Sequence, residues 1–214
     1  MNDYRNERES MVKNQIKARG IKDKRVLQAM KSVPRHLFLP AEARKYAYGD
    51  SPIRIGSGQT ISQPYIVALM TELLEVHDDH RVLDVGTGSG YQAAILAELA
   101  AEVHSIERHT ALAERAEETL KNLGYDQVHV HIGDGTKGYL SASPYDRIIV
   151  AASAPKVPGP LLNQLADGGR LVLPVGSRFS QHLEIWDREG EDFRKSSSIP
   201  VVFVPLIGDQ GWEE

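Results

Sequence analysis

Hydrophobic runs of two kinds alternate along the chain from about residue 80. Short apolar runs rich in β-branched residues have the length of strands: RVLDV, EVHSIE, VHVHI, DRIIVA and RLVLPV. The runs between them place apolar residues at helical spacing: YQAAILAELA, ALAERAEETLKNLG and PGPLLNQLADGG. Such alternation is typical of βαβ units, in which helices cover a parallel sheet. Two more strand candidates, HLEIWDRE and IPVVFVPL, are separated by only a short link, which predicts an antiparallel pair.

The residues before this alternating region have a different pattern. Two segments place apolar residues at helical spacing among many charges, RNERESMVKNQIKARG and IKDKRVLQAMKSVP. Amphipathic helices are therefore predicted here, ending near Pro34 and Pro40. An irregular segment containing glycine and proline is expected over residues 48–64, followed by a helix over residues 65–74.

The complete pattern predicts an α/β fold, a three-layer sandwich with a mostly parallel sheet and antiparallel C-terminal strands. One domain is expected over residues 1–214, with an N-terminal helical extension at 1–55 and the core at 56–214. A content of 41% hydrophobic and 25% charged residues is typical of a soluble globular protein.

Composition and charge exclude several classes of function. The chain has no cysteine, which excludes disulfides, thiolate nucleophiles and cysteine-ligated metals. The N-terminus is charged and no apolar run approaches the roughly 20 residues of a membrane span, so a cytoplasmic protein without membrane contact is expected. A net charge of -4 gives no overall attraction to nucleic acid. Basic residues before Arg54 are interpreted as solvated helix faces, with a patch for acidic partners as the alternative.

The strongest local signal is the segment LDVGTGSGY, in which a strand leads through a glycine-rich turn into a helix. Glycines allow a tight turn and close approach of a ligand to the backbone. The dinucleotide pattern G-x-G-x-x-G would need a glycine where Tyr91 stands, and the lysine of a triphosphate-binding loop is missing. An acid, Asp84, precedes the first glycine by two residues, which favours a ligand without phosphate that carries positive charge.

S-adenosylmethionine fits this description, since it has a sulfonium, a zwitterionic amino acid and a ribose. Asp84 is predicted to lie near its ammonium group and Glu107, at the end of the next strand, to accept the ribose hydroxyls. The loop Gly133-Asp134-Gly135 could frame the adenine edge. Taken singly, Glu107 could be a surface charge and the Gly-Asp-Gly loop a simple turn.

Several segments together resemble the protein-L-isoaspartate O-methyltransferase family, and they cover nearly the whole chain: GSGQTISQP, LDVGTGSGYQAA, GDGTKGY, YDRIIVAASAP, DGGRLVLPVG and FVPL. The resemblance implies a Rossmann-like methyltransferase fold in which Ser62 is the active-site serine, with Thr60 and Ile61 against the cofactor. The alternative for Ser62 is an N-cap of the helix that starts near Pro64. The complete set of expected cofactor-binding residues is Thr60, Ile61, Ser62, Asp84, Gly86, Thr87, Gly88, Gly90, Glu107, Arg108, Asp134 and Gly135.

The resemblance also implies the acceptor, the α-carboxylate of L-isoaspartyl residues in damaged proteins, with D-aspartyl residues as a wider specificity. The product S-adenosylhomocysteine, repair through a succinimide and a monomeric enzyme are expected with it. Alternatives are a small-molecule O-methyltransferase and a non-catalytic cofactor-binding scaffold.

Three further features qualify this prediction. The segment Ala151-Ala152-Ser153-Ala154-Pro155 has no amide or aromatic residue, which disfavours methylation of an amino group. Ala152 and Ser153 are either peptide-binding or part of a tight loop. His129 and His131 share a strand face without a convincing third ligand, so packed histidines are favoured over a metal site. Some members of the family carry a cofactor-binding hydroxyl residue where this chain has Ile207.

Overall fold

The computed structural model describes residues 4–213, so both ends of the predicted domain, residues 1–3 and 214, lie outside the described residues. Within them a seven-stranded sheet has the order β5-β4-β3-β6-β7-β8-β9, and a separate hairpin pairs β1 with β2. The strands are β1 (Ile53–Gly56), β2 (Gln59–Ile61), β3 (Arg81–Val85), β4 (Glu102–Glu107), β5 (Val128–Ile132), β6 (Tyr145–Val150), β7 (Leu165–Gly176), β8 (Gln181–Glu189) and β9 (Asp192–Val201). β3 to β7 pair in parallel, whereas β8 is antiparallel to both β7 and β9. The predicted α/β fold with a mostly parallel sheet is confirmed.

Helices cover both faces of the sheet. The α-helices are α1 (Arg5–Met11), α2 (Lys24–Ser32), α3 (Pro64–Leu74), α4 (Tyr91–Ala97), α5 (Thr110–Asn122) and α6 (Gly159–Asn163). Val82 packs with α1 to α4 in one buried cluster, while its neighbour Leu83 packs with α6 in another. Side chains of a strand alternate between faces, so the two clusters lie on opposite sides of the sheet.

The N-terminal extension packs into the core. α1 continues as a π turn (Val12–Ile16) and a 3₁₀ turn (Lys17–Arg19), and the Asp23 carboxylate caps α2 by accepting from the Arg25 backbone N–H at 2.7 Å. Met11 and Met30 are fully buried in the same cluster as Leu74 of α3. The predicted boundary between residues 55 and 56 falls inside β1.

The segment expected to be irregular contains the β1–β2 hairpin. The two turn residues, Ser57 and Gly58, both have positive φ, 50° and 71°. This pairing is typical of a type I′ turn, whose twist matches that of the strands. The prediction was wrong here because strands of four and three residues are too short to give a clear period.

The C-terminal strand and α6 also differ from the prediction. β9 runs over Asp192–Val201, so only the first residues of IPVVFVPL belong to it, and residues 202–206 leave the sheet. Pro200 lies at an irregular point of the β8–β9 register, where an edge strand tolerates the missing N–H. α6 covers Gly159–Asn163 alone, because the segment LADGG belongs to β7.

Candidate active site

A cleft of about 920 Å³, a volume that includes solvent at its mouth, opens at the carboxyl ends of β3, β4 and β6. The strand order reverses at β3, which lies between β4 and β6, and such crevices are the usual ligand sites of open α/β sheets. The lining comprises residues 59–62, 85–89, 106–109 and 203–207 together with Val67, Met70, Tyr91, Gln92, Gly135, Ala151 and Ala152. The cleft therefore brings together nine of the predicted site residues: Thr60, Ile61, Ser62, Gly86, Thr87, Gly88, Glu107, Arg108 and Gly135.

The glycine loop turns directly from β3 into α4. Gly86 donates its N–H to the Ile106 carbonyl oxygen at 2.9 Å, which holds the loop against β4. Gly90 has a φ of 87°, and a Cβ there would lie 3.2 Å from the Ala116 Cβ atom. Gly90 does not line the cleft; its lack of a side chain allows α4 and the loop to pack closely against α5.

Glu107 ends β4 on the floor of the cleft and is 5% exposed. One carboxylate oxygen accepts from the Gly88 N–H at 2.9 Å and the other accepts from the His109 N–H at 2.9 Å. Each oxygen of an ionised carboxylate has a further lone pair. Glu107 can therefore hold the glycine loop in place and still accept hydrogen bonds from a ligand.

Asp84 lies beneath the loop, fully buried, and does not line the cleft. Its Oδ2 atom accepts from the Ser105 hydroxyl at 2.8 Å, and that hydroxyl lies 2.6 Å from the Thr87 Oγ1 atom. Among residues 4–213, Asp84 Oδ1 has no hydrogen-bond partner. Burial raises the pKa of Asp84 to about 7. An orphaned carboxyl oxygen of this kind is stabilised when a cationic group binds nearby.

Ser62 lies between β2 and α3. Its carbonyl oxygen accepts from the Arg35 side chain at 2.7 Å. The N-cap of α3 is Gln63, without a side-chain cap hydrogen bond, and Pro64 opens the helix. The interpretation of Ser62 as a helix cap was wrong. Ser62 lines the cleft instead.

Asp134 does not line the cleft, whereas Gly135 does. The Asp134 carboxylate accepts from the Thr136 N–H at 2.9 Å, from the Thr136 hydroxyl at 2.7 Å and from the Asp209 N–H at 3.0 Å. It therefore fixes the C-terminal stretch against the loop after β5. A Cβ on Gly135 would lie 2.6 Å from Val85 Cγ1, so only glycine fits there without displacement.

Residues 203–207 form a wall of the cleft, of which the sequence analysis had considered only Ile207. They leave the sheet after β9 and pair with the segment after β6: the Ser153 N–H donates to the Val204 carbonyl oxygen and the Leu206 N–H donates to the Ser153 carbonyl oxygen, both at 2.8 Å. Ser153 is fully buried, and these bonds occupy its N–H and carbonyl groups, whereas Ala152 lines the cleft. Ile207 lines the cleft where some family members have a hydroxyl residue. The segment FVPL was the available signal, but it was assigned to a strand.

Two apolar residues of α3, Val67 and Met70, were also missed. They are three positions apart and therefore lie on the same face of the helix. The sequence reveals this face only as part of a generally apolar helix.

The strand histidines form a cluster on β4 and β5, away from the cleft. His104 Nδ1 lies 3.0 Å from His131 Nε2, and the His131 ring stacks on Tyr139 with centroids 3.7 Å apart. Burial lowers the pKa of His131 to about 4, so that it is neutral at pH 7. Among residues 4–213 no group of three or more His, Cys, Asp or Glu side chains is arranged to hold a metal ion.

The helices of residues 4–213 include none with the length and apolar character that crossing a membrane requires.

A parallel sheet that reverses order at β3, a glycine loop after that strand and a buried acid at the end of β4 define the class of S-adenosylmethionine-dependent methyltransferases. Residues 6–211 match the sequence profile of the protein-L-isoaspartate(D-aspartate) O-methyltransferase family. The chain belongs to this family.

Individual relatives agree with this assignment. A protein-L-isoaspartate O-methyltransferase of Methanoculleus marisnigri is 55% identical over 213 residues, covering 98% of this chain and 95% of that protein. A solved structure of a protein-L-isoaspartate O-methyltransferase superposes with a TM-score of 0.85 at 29% identity, covering 95% of this chain and 67% of the other. A Plasmodium falciparum structure described by the same activity, in complex with S-adenosyl-L-homocysteine, gives a TM-score of 0.81 at 28% identity, covering 94% of this chain and 98% of the other.

Proposed function

We propose that this chain transfers a methyl group from S-adenosylmethionine to the α-carboxylate of L-isoaspartyl residues in damaged proteins. One observation carries the proposal: the glycine loop with Glu107 and the segment at Ser62 line the same cleft. A methyl donor on the one side and an acceptor on the other would therefore meet inside one chain.

The residues on the cofactor side fit S-adenosylmethionine. Glu107 would accept from the ribose hydroxyls, and the backbone of Gly86, Gly88 and Gly135 would allow close approach of the ligand. The orphaned oxygen of Asp84, buried beneath the glycine loop, would be stabilised by an ammonium group bound nearby. When bound, S-adenosylmethionine supplies a methyl group made electrophilic by its sulfonium sulfur.

The acceptor side needs no strong base. A carboxylic acid with a pKa of about 4 is already ionised at pH 7, so its oxygen is a nucleophile without loss of a proton. We infer that the Ser62 hydroxyl donates to one carboxylate oxygen and leaves the other free to attack. A lysine or arginine in its place would bind ground state and transition state alike, which does not raise the rate.

The remaining task of the chain is to place the acceptor and exclude water. Val67 and Met70 of α3 and Leu206 of the C-terminal stretch give the cleft an apolar lining. Orientation of two bound reactants contributes about 7–11 kcal/mol in favourable cases. The methyl ester formed would cyclise to a succinimide with loss of methanol, and hydrolysis of the succinimide returns part of the chain to normal aspartate.

A comparison of two peptides that differ only in the linkage of one aspartate tests the proposal. With radiolabelled S-adenosylmethionine, we expect methyl transfer to the isoaspartyl peptide and none above background to the aspartyl peptide. Equal labelling of the two would disprove the repair function, and labelling of small carboxylic acids in place of both would favour a small-molecule O-methyltransferase. A third peptide with D-aspartate tests the wider specificity.

We further propose that residues 1–214 act as one domain, which the continuous packing of α1 and α2 with α3 supports. The monomeric state and the cytoplasmic location stay predictions. Size-exclusion chromatography with light scattering measures the first of them.

A further inference from the structure

Arg35 is a buried arginine that contacts the wall of the cleft from behind. It begins the 3₁₀ turn Arg35–Phe38 and its side chain is 0% exposed. Nε donates to the Ala47 carbonyl oxygen at 2.8 Å, and Nη2 donates to the Ser62 carbonyl oxygen at 2.7 Å. The guanidinium carbon lies 4.9 Å from the centroid of the Tyr91 ring. Arg35 thus contacts two residues that line the cleft, Ser62 and Tyr91, without lining it.

Burying this cation is unfavourable, and the surroundings offset the cost only in part. Among residues 4–213, Nη1 has no hydrogen-bond acceptor, and the charge is met by two carbonyl oxygens and the face of an aromatic ring. Burial lowers the pKa of Arg35 to about 10, so the guanidinium stays charged at pH 7. An apolar side chain of similar size would avoid this cost. The presence of a buried guanidinium at this position therefore calls for a role in holding the carbonyl groups to which it donates hydrogen bonds.

The group nearest to the chemistry is the carbonyl of Ser62. Ser62 and Gln63 form a short connection between β2, which ends at Ile61, and α3, which begins at Pro64. No hydrogen bond within the described residues fixes the Ser62 side chain. Because the peptide unit is planar, a carbonyl held by Nη2 fixes the peptide plane that follows Ser62. That plane restricts the direction of the Cα–Cβ bond and so the position of the hydroxyl.

We propose that Arg35 is a positioning residue for Ser62, which holds the hydroxyl toward the acceptor carboxylate through the carbonyl of the same residue. The inference rests on the role of Ser62 in the proposed function. It gives the N-terminal extension a part in methyl transfer, because the same guanidinium joins Ala47 of the extension to the active-site segment.

A double-mutant cycle tests the inference. Arg35→Lys keeps the positive charge but cannot donate to both carbonyls in the fork geometry of a guanidinium. We expect Arg35→Lys to lower kcat on an isoaspartyl peptide by about 10- to 100-fold, the effect of misplacing a reacting group by about 1 Å. The dissociation constant of S-adenosylhomocysteine should change by less than about threefold, since Arg35 does not line the cleft. In the Ser62→Ala background, Arg35→Lys should change kcat by less than about twofold, because residues that act as a unit are not additive.

Arg147→Lys is the matched control. Arg147 also donates from Nε to a carbonyl oxygen, that of Glu75, at 3.0 Å, but it does not line the cleft or contact a residue that does. Its kcat should stay within about twofold of wild type at a temperature below the melting transition of every variant.

Each outcome decides the matter. If Arg35→Lys lowers kcat by the same factor with and without Ser62, the arginine only supports the fold and the inference fails. If Ser62→Ala retains full activity, there is no hydroxyl to position and the inference fails while methyl transfer by the wild type upholds the proposed function. A crystal structure of Arg35→Lys gives a readout without activity: the Ser62 hydroxyl should be displaced or disordered, and an unchanged position overturns the inference even if no peptide is methylated. Should Arg35→Lys not fold, Arg35→Gln, with a neutral donor, takes its place in the same cycle.

Discussion

The two sides of the cleft are built in different ways. The cofactor side comes from consecutive βα units, so that Gly86 to Gly90 follow β3 directly and Glu107 ends the next strand. The acceptor side depends on distant segments: Ser62 follows a hairpin, and its carbonyl oxygen accepts from Arg35 of the extension. The cofactor half therefore depends on local geometry, whereas the acceptor half depends on long-range contacts. Variants can therefore separate cofactor binding from methyl transfer.

The largest effect is expected on the cofactor side, at Glu107. Glu107→Ala removes the acceptor for the Gly88 and His109 N–H groups and the acceptor that we propose for two ribose hydroxyls. Hydrogen bonds to a charged group are worth about 1.5–3 kcal/mol each, so the dissociation constant of S-adenosylhomocysteine should rise at least about a hundredfold. Isothermal titration calorimetry measures this dissociation constant. Glu117→Ala, a substitution at an exposed residue of α5, is the control. An unchanged constant for Glu107→Ala would remove this residue from the site and break the division into two sides.

Ser62→Ala should have the next largest effect, and on the acceptor side alone. We expect kcat on an isoaspartyl peptide to fall by about 10- to 100-fold, because an oriented donor contributes to placement of the carboxylate. Cofactor affinity and melting temperature should stay as in the wild type, since the Ser62 side chain does not cap α3. Ser62→Thr, which keeps the hydroxyl, is the control. A variant that binds cofactor as weakly as Glu107→Ala would show that the two sides are not separable.

Gly135→Ala should lower the stability of the cofactor side through overpacking. The new Cβ would lie 2.6 Å from Val85 Cγ1, and overpacking of this kind costs about 1–3 kcal/mol. The melting temperature should fall by about 2–4 °C for each kcal/mol. Gly159→Ala is the matched control, because a Cβ at Gly159 meets no heavy atom within 4 Å. Equal melting temperatures for the two variants would show that the cofactor side is less tightly packed than described.

The smallest expected effect is the contribution of Asp84 to the pH dependence of folding stability. Burial raises the pKa of this carboxyl from 3.8 to about 7 in the folded chain. The native state therefore binds the proton more tightly than the unfolded state, and the stability from this group is lost as the pH rises from about 4 to about 7. Asp84→Asn keeps an oxygen for the Ser105 hydroxyl and does not ionise.

We expect Asp84→Asn to gain a few degrees of melting temperature relative to wild type between pH 5 and pH 8 in the absence of cofactor. The comparison is made by differential scanning calorimetry at both values. A difference between variant and wild type that is the same at pH 5 and pH 8 would show that Asp84 does not titrate in this range.

Sequence patterns predicted three of the parallel strands residue by residue. The runs RVLDV, EVHSIE and VHVHI coincide with β3, β4 and β5 as the structure has them. Buried parallel strands are continuous apolar runs bounded by turn residues, so they are easily read. The pattern was misleading at the edges: β9 contains RKSSS, because an edge strand exposed to solvent has little need of apolar residues.

Among the site residues, position in sequence determined Gly86, Gly88 and Glu107, since the ends of adjacent parallel strands meet at one edge of a sheet whatever else the chain does. Tertiary structure alone decided the rest. Asp134 was read as a ligand residue but holds Asp209, which is 75 positions away. Arg35 was not among the predicted site residues, and its contact with Ser62 spans 27 positions. No local period encodes such contacts, because they depend on how the extension, the hairpin and the C-terminal stretch pack over the sheet.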